Sequence, residues 1–331
     1  MTPMDSVSNQ SDLPSSTPGP PRRRPWIPIT VTALVAVAAI IALVIFASDS
    51  GRDNERTPGG LRPPHGELDL AQFLSDYAGE LSSDARYKQP TAGQRAEVIE
   101  LLRGLTPASR GTLTGRAQEL GLTLSEGADM VTGRRFVMAA STPGDARAWG
   151  VFLIDTGAPR SNIVVEVPHP NFDMHTELLG LDLYRKAPGS VLIMAGAHRK
   201  ASNGKADVAH QAESMFHSAV QLFAEGGRTE IQVHGFDDDN MPTTDVVLSP
   251  GSADAGEVIT RAGRELERQE FAVCRAWEDN CGKLEGTTNV QGKAAREAGR
   301  QFLHVETSRA IRDSDQLVDK VAAALAAAVS R

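Results

Sequence analysis

From Arg135 onward, short apolar segments alternate with longer amphipathic ones, and this alternation constrains the fold of the chain more than any other feature. The pattern predicts strands connected by helices, which is typical of a largely parallel sheet covered by helices on both faces. The predicted strands are 136–140, 149–154, 163–167, 191–195, 230–234, 245–249, 271–274 and 302–306. The predicted helices are 174–186, 207–225, 254–269, 292–301 and 314–329. We therefore expect an α/β fold with a mostly parallel or mixed sheet of about eight strands.

The rest of the chain divides by composition into segments that precede this sheet. We predict a disordered cytoplasmic segment over 1–26, a transmembrane helix over 27–47, a linker over 48–65, a helical region over 66–130 and an α/β hydrolase-like domain over 131–331. The first segment is rich in Pro and Ser and buries too little apolar surface to fold. In the fourth, apolar residues recur at helical spacing.

The predicted transmembrane helix rests on a run of uncharged residues, 27–47, which would measure about 31 Å as a helix. Arg22, Arg23 and Arg24 precede the run, so the positive-inside rule places the N-terminus in the cytoplasm. A cleaved signal peptide and a buried core helix are the alternatives, but the run is longer than a signal-peptide core and no A-x-A site follows. We expect a single-pass protein of the cell membrane, anchored in the membrane by this helix, with its C-terminal domain extracytoplasmic.

Charge and missing motifs exclude several function classes. The chain has 34 Lys and Arg residues against 42 Asp and Glu residues, a net charge of −8, which argues against nucleic acid as a partner. No G-x-S-x-G, P-loop or G-x-G-x-x-G motif occurs, which disfavours serine hydrolases, nucleotide hydrolases and dinucleotide enzymes. The two cysteines, Cys274 and Cys281, are close enough to close a short disulfide loop in an oxidising compartment; a zinc site or a catalytic thiol is the weaker alternative.

Histidines gather where predicted strands end, which is where α/β sheets bind ligands. His169 and Asp173 follow one strand, His198 follows the next, and His234 ends a third. Two imidazoles and one carboxylate are a usual ligand set of hydrolytic zinc, so His169, Asp173 and His234 form a candidate metal triad. Glu306, in the last strand, is a candidate general base for the water at such a metal.

The same histidines have a simpler interpretation, in which they cap strands and hydrogen-bond to the backbone. A rival ligand pair, His175 and Glu177, also lies close by in the sequence. The loop 286–292 precedes a helix, and its backbone N–H groups either cradle a substrate or form an ordinary helix start. Asn289 in this loop is a candidate substrate-binding residue.

The order of these residues resembles that of zinc carboxypeptidase-like amidohydrolases, in particular poly-γ-glutamate hydrolases and N-formylglutamate amidohydrolases. The resemblance covers roughly residues 160–315 and includes HVETSRAIR (304–312), which is similar to an E-x-S-R-x-x-R ending, and AGAHRKAS (195–202). It implies that His169, Asp173 and His234 hold zinc and that Glu306 activates water. It also implies a substrate-binding or oxyanion role for Arg199, and we add His198 and Arg309 as substrate-binding candidates.

Two functions follow as hypotheses. The first is a membrane-anchored, extracytoplasmic, zinc-dependent amidohydrolase that acts on a peptide or γ-glutamyl amide of the cell envelope. The second is a non-catalytic envelope protein that uses the same α/β scaffold for binding.

Overall fold

A computed structural model describes residues 66–330 of the chain. Their ten strands form one sheet with the order β1-β2-β3-β4-β6-β5-β7-β10-β8-β9. The strands are β1 Gly66–Leu68, β2 Leu122–Asp129, β3 Arg135–Ser141, β4 Val151–Asp155, β5 Ile163–Val167, β6 Val191–Met194, β7 Thr229–Gly235, β8 Val246–Ser249, β9 Val273–Arg275 and β10 Phe302–Thr307. The helices are α1 Leu70–Gly79, α2 Ala92–Gly104, α3 Arg110–Glu119, α4 Thr176–Lys186, α5 Ala201–Gly204, α6 Met215–Ala224, α7 Glu257–Arg268, α8 Val290–Glu297, α9 Arg309–Arg312 and α10 Asp315–Val329.

Helices cover both faces of the sheet because its central strands are apolar on both sides. In β3, Phe136 and Met138 belong to one buried cluster, together with residues of α1, α4, α7 and α10. Val137 and Ala139, which point to the opposite face, belong to a second cluster with residues of α2, α3 and α6. Each face of the sheet therefore has its own hydrophobic core, and the fold has three layers.

The predicted fold class needs correction, although all eight predicted strands coincide with observed ones. The sheet has ten strands and is mixed: β2, β3, β4 and β6 pair antiparallel in succession, and β8 pairs antiparallel with β10. The two additional strands, β1 and β2, lie in the region predicted to be helical, where the structure has α1, α2 and α3 as well. The apolar pattern does not predict these two strands, because β1 has three residues and β2 carries polar residues on its half-exposed part.

A second correction concerns the membrane. Within residues 66–330, no helix combines the length and the apolar character needed to cross a bilayer. The structure therefore does not support the predicted transmembrane helix or the cell-membrane localisation that was based on it. The run 27–47, on which both predictions depended, lies outside the described residues.

Four neighbouring parallel strands bring the candidate site together. β6, β5, β7 and β10 run in the same direction, so their carboxyl ends lie at one edge of the sheet. The connection from β5 to β6 passes through α4 on one face, whereas the connection from β6 to β7 passes through α6 on the other. A crevice opens at the strand ends where successive connections leave on opposite faces.

The disulfide predicted between Cys274 and Cys281 is present, with a Cα–Cα distance of 6.1 Å. Cys274 belongs to β9, the short strand at the edge of the sheet, and Cys281 is buried against Phe236 and Val247. The bond therefore attaches the loop after β9 to the sheet. The residues that follow, 282–289, line the crevice described above.

We predict that replacing both cysteines by Ser lowers the free energy of unfolding by about 2.5 kcal/mol, because the bond closes a loop of roughly eight residues in the unfolded chain. Urea unfolding of the double variant and of wild type checks this. Wild type in a thiol reductant is the control and should match the variant. Equal stability of the oxidised and reduced proteins would contradict the prediction.

Candidate metal centre

The strand register places two predicted site residues side by side. In the parallel pair of β7 and β10, His234 lies opposite Glu306, and Gln232 lies opposite His304. Side chains two residues apart point to the same face of a strand, so these four polar groups form one patch. The patch is buried: Gln232 is fully covered, His304 is 2% exposed and Glu306 is 9% exposed.

A single turn of backbone brings in the other two predicted ligands. The N–H of Asp173 donates to the carbonyl oxygen of His169 at 3.0 Å, which places these side chains on the same side of the turn. The turn requires left-handed backbone at Asn171, with φ 60°, and at Met174, with φ 35°. Asn171 suits the first position and anchors it, because its Nδ2 donates to the carbonyl oxygen of Leu81 at 2.7 Å.

Three donor atoms of the predicted triad converge. The Nδ1 atoms of His169 and His234 are 3.1 Å apart. Asp173 Oδ2 lies 3.3 Å from the first of these atoms and 2.9 Å from the second. All three side chains are at most 5% exposed.

The outer nitrogens of both imidazoles are committed to acceptors. His169 Nε2 lies 2.8 Å from Asp207 Oδ1, which as a carboxylate oxygen accepts a hydrogen bond from it. His234 Nε2 donates to Gln232 Oε1 at 3.0 Å. This tautomer leaves a lone pair on each Nδ1, so two lone pairs and a carboxylate oxygen point at the same small volume.

This donor set fits a metal ion. Nitrogen and oxygen ligands at 2.0–2.2 Å around a tetrahedral ion are roughly 3.4 Å apart, close to the separations found here. The acceptors on both Nε2 atoms are those that fix a histidine as a metal ligand. Without a cation between them, the facing lone pairs and the carboxylate would repel one another.

A second group of potential ligands shares His234. Its atoms, from His234, His304 and Glu306, lie within 4.8 Å of one another. His234 offers only one lone pair, on Nδ1, because Gln232 holds its other nitrogen. We therefore assign His234 to the tighter triad, which leaves His304 and Glu306 beside it. Glu306 Oε2 is buried without a hydrogen-bond partner among the described residues, so it is available to a reacting group.

Burial and neighbouring charges shift the acid–base properties of the site. Burial lowers the pKa of His234 to about 4, despite the nearby carboxylate of Asp173. Burial also acts to lower the pKa of His169, but Asp173 and Asp207 outweigh it and the pKa is raised. Burial, together with the charge of Asp173, raises the pKa of Glu306 well above its ordinary value.

Arg199 lies at the triad rather than at a distance from it. Asp207 Oδ2 accepts hydrogen bonds from Arg199 Nε at 3.1 Å and Nη2 at 2.5 Å, which fixes the guanidinium plane. The remaining nitrogen, Nη1, is 3.3 Å from His169 Nδ1. Asp207 therefore orients both a candidate ligand and the nearest cation.

The site opens into a cavity of about 680 Å³, a size typical of small-molecule sites. Arg309 lines it, is 31% exposed and pairs with Asp313 at 2.7 Å. His198 is not among the lining residues; its ring packs edge-on against Phe172, with centroids 5.6 Å apart. Asn289 faces inward, since its Nδ2 donates to Gln232 Oε1 at 2.6 Å.

The rival ligand pair does not join the triad. His175 is 42% exposed, and its Nδ1 lies 2.9 Å from Asp313 Oδ1. Glu177 is buried in the first turn of α4 and belongs to neither group of potential ligands in the described residues.

Sequence reasoning missed three residues that support the triad: Asp207, Gln232 and Glu166. Gln232 Nε2 donates to Glu166 Oε2 at 2.8 Å. This bond orients the Gln232 amide so that its Oε1 faces His234. A signal was present for Gln232, because Glu230, Gln232 and His234 alternate with apolar residues. Such alternation usually indicates a solvated face, whereas all three residues here are buried.

Comparisons with known proteins give structural neighbours but no sequence family. No protein-family model and no curated protein matches the sequence. An N-formylglutamate amidohydrolase from Ralstonia eutropha is similar with a TM-score of 0.39 and 12% identity, over 55% of this chain and 96% of its own. An aspartoacylase family protein from Mesorhizobium loti has a TM-score of 0.36 and 11% identity, over 53% and 61%.

A candidate metallopeptidase from Shewanella denitrificans is also similar, with a TM-score of 0.32 and 13% identity, over 75% of this chain and 94% of its own. The neighbours include an N-formylglutamate amidohydrolase, a member of one of the groups that the sequence resembles.

We predict that Gln232→Met weakens metal binding about 10- to 100-fold, because His234 loses the acceptor that fixes its tautomer. The measurement is competition of the full-length protein with a zinc-binding dye. Gln221→Met, on α6, is the matched control and should bind metal like wild type. Unchanged affinity of Gln232→Met would show that Gln232 does not orient His234.

We also predict a pH-dependent contribution from Glu166, whose pKa is raised well above the ordinary 4.5 by burial and by the charge of Glu230. Above about pH 4.5 the unfolded chain releases this proton while the folded chain keeps it, so the free energy of unfolding falls as pH rises. With each pH unit, the free energy of unfolding of Glu166→Gln should therefore fall by up to about 1.4 kcal/mol less than that of wild type.

Urea unfolding of both proteins from about pH 5 to pH 8 measures this difference, because the two proteins differ only in the Glu166 carboxyl group. Glu119→Gln, at an exposed position, is the control and should leave the slope unchanged. A Glu166→Gln variant with the slope of wild type would contradict a protonated Glu166 in the folded protein.

Proposed function

We propose that this protein is a zinc-dependent amidohydrolase that cleaves a peptide or γ-glutamyl amide. One observation carries the proposal: two imidazole lone pairs and a carboxylate oxygen converge within 3.3 Å, and an unpartnered buried carboxylate lies beside them. Nitrogen and oxygen ligands in a set of three are typical of catalytic zinc, which keeps a position for water. The substrate class rests on the sequence resemblance and on the basic side chains that line the cavity.

His169, Asp173 and His234 would hold the metal. When bound, zinc supplies a Lewis acid that polarises the amide carbonyl and the attacking water. Asp207 and Gln232 would keep the two imidazoles in the tautomer that offers Nδ1.

Glu306 would carry the proton. Its raised pKa suits a group that first accepts a proton from water and then donates it to the leaving amide nitrogen. The strand register fixes its position next to His234, and no described residue competes for Oε2.

Arg199 would stabilise the developing charge on the carbonyl oxygen. Its Nη1 is the guanidinium nitrogen that points to the triad, and Asp207 holds the other two in place. A pre-oriented donor at this point lowers the barrier to attack. Arg309, at the more exposed side of the cavity, would bind a carboxylate of the substrate.

We predict that His169→Ala and His234→Ala lose most bound zinc, whereas Glu306→Gln keeps zinc and loses about 10²- to 10⁴-fold of hydrolysis. Zinc is measured by elemental analysis, and hydrolysis by amine release from γ-glutamyl and α-linked glutamate amides. His175→Ala is the control and should retain both zinc and activity. Zinc occupancy should also fall in acid, where the imidazoles are protonated.

One outcome would overturn the proposal, and another would change its ligands. Wild type that stays metal-free after incubation with zinc would leave a binding protein as the better explanation. Zinc retained by His169→Ala but lost from His175→Ala would keep a metal enzyme and move the ligand to the rival pair.

A further inference from the structure

A second cavity, of about 450 Å³, lies at the amino ends of the central strands, opposite the carboxyl ends that carry the triad. Gly189 and Val191 at the start of β6, Arg160 before β5 and Arg228 before β7 contribute to its wall. These are the amino ends of the same strands whose carboxyl ends carry the metal site. None of the residues that line it also lines the larger cavity.

Arg228 is an unusual member of this wall because it is buried without a counter-charge. It is only 5% exposed, and its Nε and Nη1 atoms have no hydrogen-bond partner among the described residues. Gly226 and Gly227, with φ 85° and 84°, make the turn from α6 that directs the chain into β7 at this point. A buried guanidinium without a partner is strongly unfavourable, so a position of this kind calls for an anion.

The neighbouring charges do not supply that anion. Asp155 is paired with Arg134 at 2.7 Å and accepts from the backbone N–H of Gly157 at 2.8 Å. Glu225 is 62% exposed and faces Arg103 at 3.5 Å. Asp155 is therefore committed to other groups, and Glu225 is largely exposed to solvent.

The second arginine adds positive charge to the same wall. Arg160 Nη2 donates to the carbonyl oxygens of Glu225 at 2.8 Å and Phe223 at 3.3 Å, at the C-terminal end of α6. These bonds hold the guanidinium at the cavity. Burial, together with this neighbour, lowers the pKa of Arg228 to about 10.

The wall also has an apolar part, beside the charged side chains of Arg103, Asp155 and Glu225 that line the cavity as well. Leu102 and Leu105 at the end of α2, Ile154 of β4 and Leu222 of α6 face the cavity. Such walls favour a ligand with hydrocarbon and disfavour a fully hydrated inorganic ion.

We propose that this cavity is a binding site for a small carboxylate that carries an apolar chain, with Arg228 as its counter-charge. The carboxylate is placed at the two arginines, and the chain lies against the leucines. The site is independent of the metal centre, since the two are at opposite ends of the strands.

Isothermal titration of the full-length protein with sodium hexanoate tests the proposal, with sodium acetate as the comparison anion at the same ionic strength. We expect saturable binding of one hexanoate per chain, at least ten-fold tighter than that of acetate. Arg228→Met should weaken hexanoate binding at least ten-fold and should fold, because it removes an unpaired buried charge.

Two further variants separate the site from general effects. Ala158→Phe, which fills the cavity from its rim and keeps Arg228, should also abolish hexanoate binding. Arg116→Gln, an exposed position on α3, removes the same charge elsewhere and should bind like wild type. Zinc content should be the same in all of these proteins.

The absence of saturable hexanoate binding to wild type would overturn the proposal. Equal affinity for acetate and hexanoate would refute the apolar part of the site. Unchanged binding by both Arg228→Met and Ala158→Phe would show that hexanoate binds elsewhere.

Discussion

The hydrogen bonds donated by the Nε2 atoms of His169 and His234 determine what this site can do. Each bond fixes an imidazole in the form whose Nδ1 carries a lone pair, and the fold then places the two Nδ1 atoms 3.1 Å apart. Several neighbouring residues support this arrangement. Asp207 and Gln232 accept the bonds, Asn289 and Glu166 orient Gln232, and the turn of 169–173 supplies the carboxylate.

Two oriented groups at the centre share one support. Asp207 binds His169 through one oxygen and Arg199 through the other. The imidazole of His169 and the guanidinium of Arg199 are therefore held at a fixed distance and orientation. A loss of Asp207 would therefore disturb both the proposed metal binding and the proposed charge stabilisation. Such shared supports are a reason why effects of substitutions in an active site are not additive.

The sequence allowed the α/β alternation and the central strands to be predicted because local periodicity determines them. All eight predicted strands exist, and the polar residues at their ends are the ones that the parallel pairing of β5, β7 and β10 brings together. The β1–β2 edge of the sheet was missed, since β1 is very short and β2 is not apolar on both faces. Residues such as Asp207 were also missed, because their role depends on a contact across 38 positions that no local pattern encodes. His198 was chosen for its position after a strand, which does not determine where a side chain points, and its ring packs against Phe172.

The buried polar stripe of β7 and β10 also has a consequence for how the sheet assembles. Glu230, Gln232 and His234 alternate with Ile231 and Val233, which face the opposite hydrophobic core. A slip of one residue between neighbouring strands would turn every imidazole and carboxylate into that core and every valine into the crevice. Pairing out of register is thus penalised at each position along both strands. The residues proposed to perform chemistry would then also keep the central strands in alignment during folding.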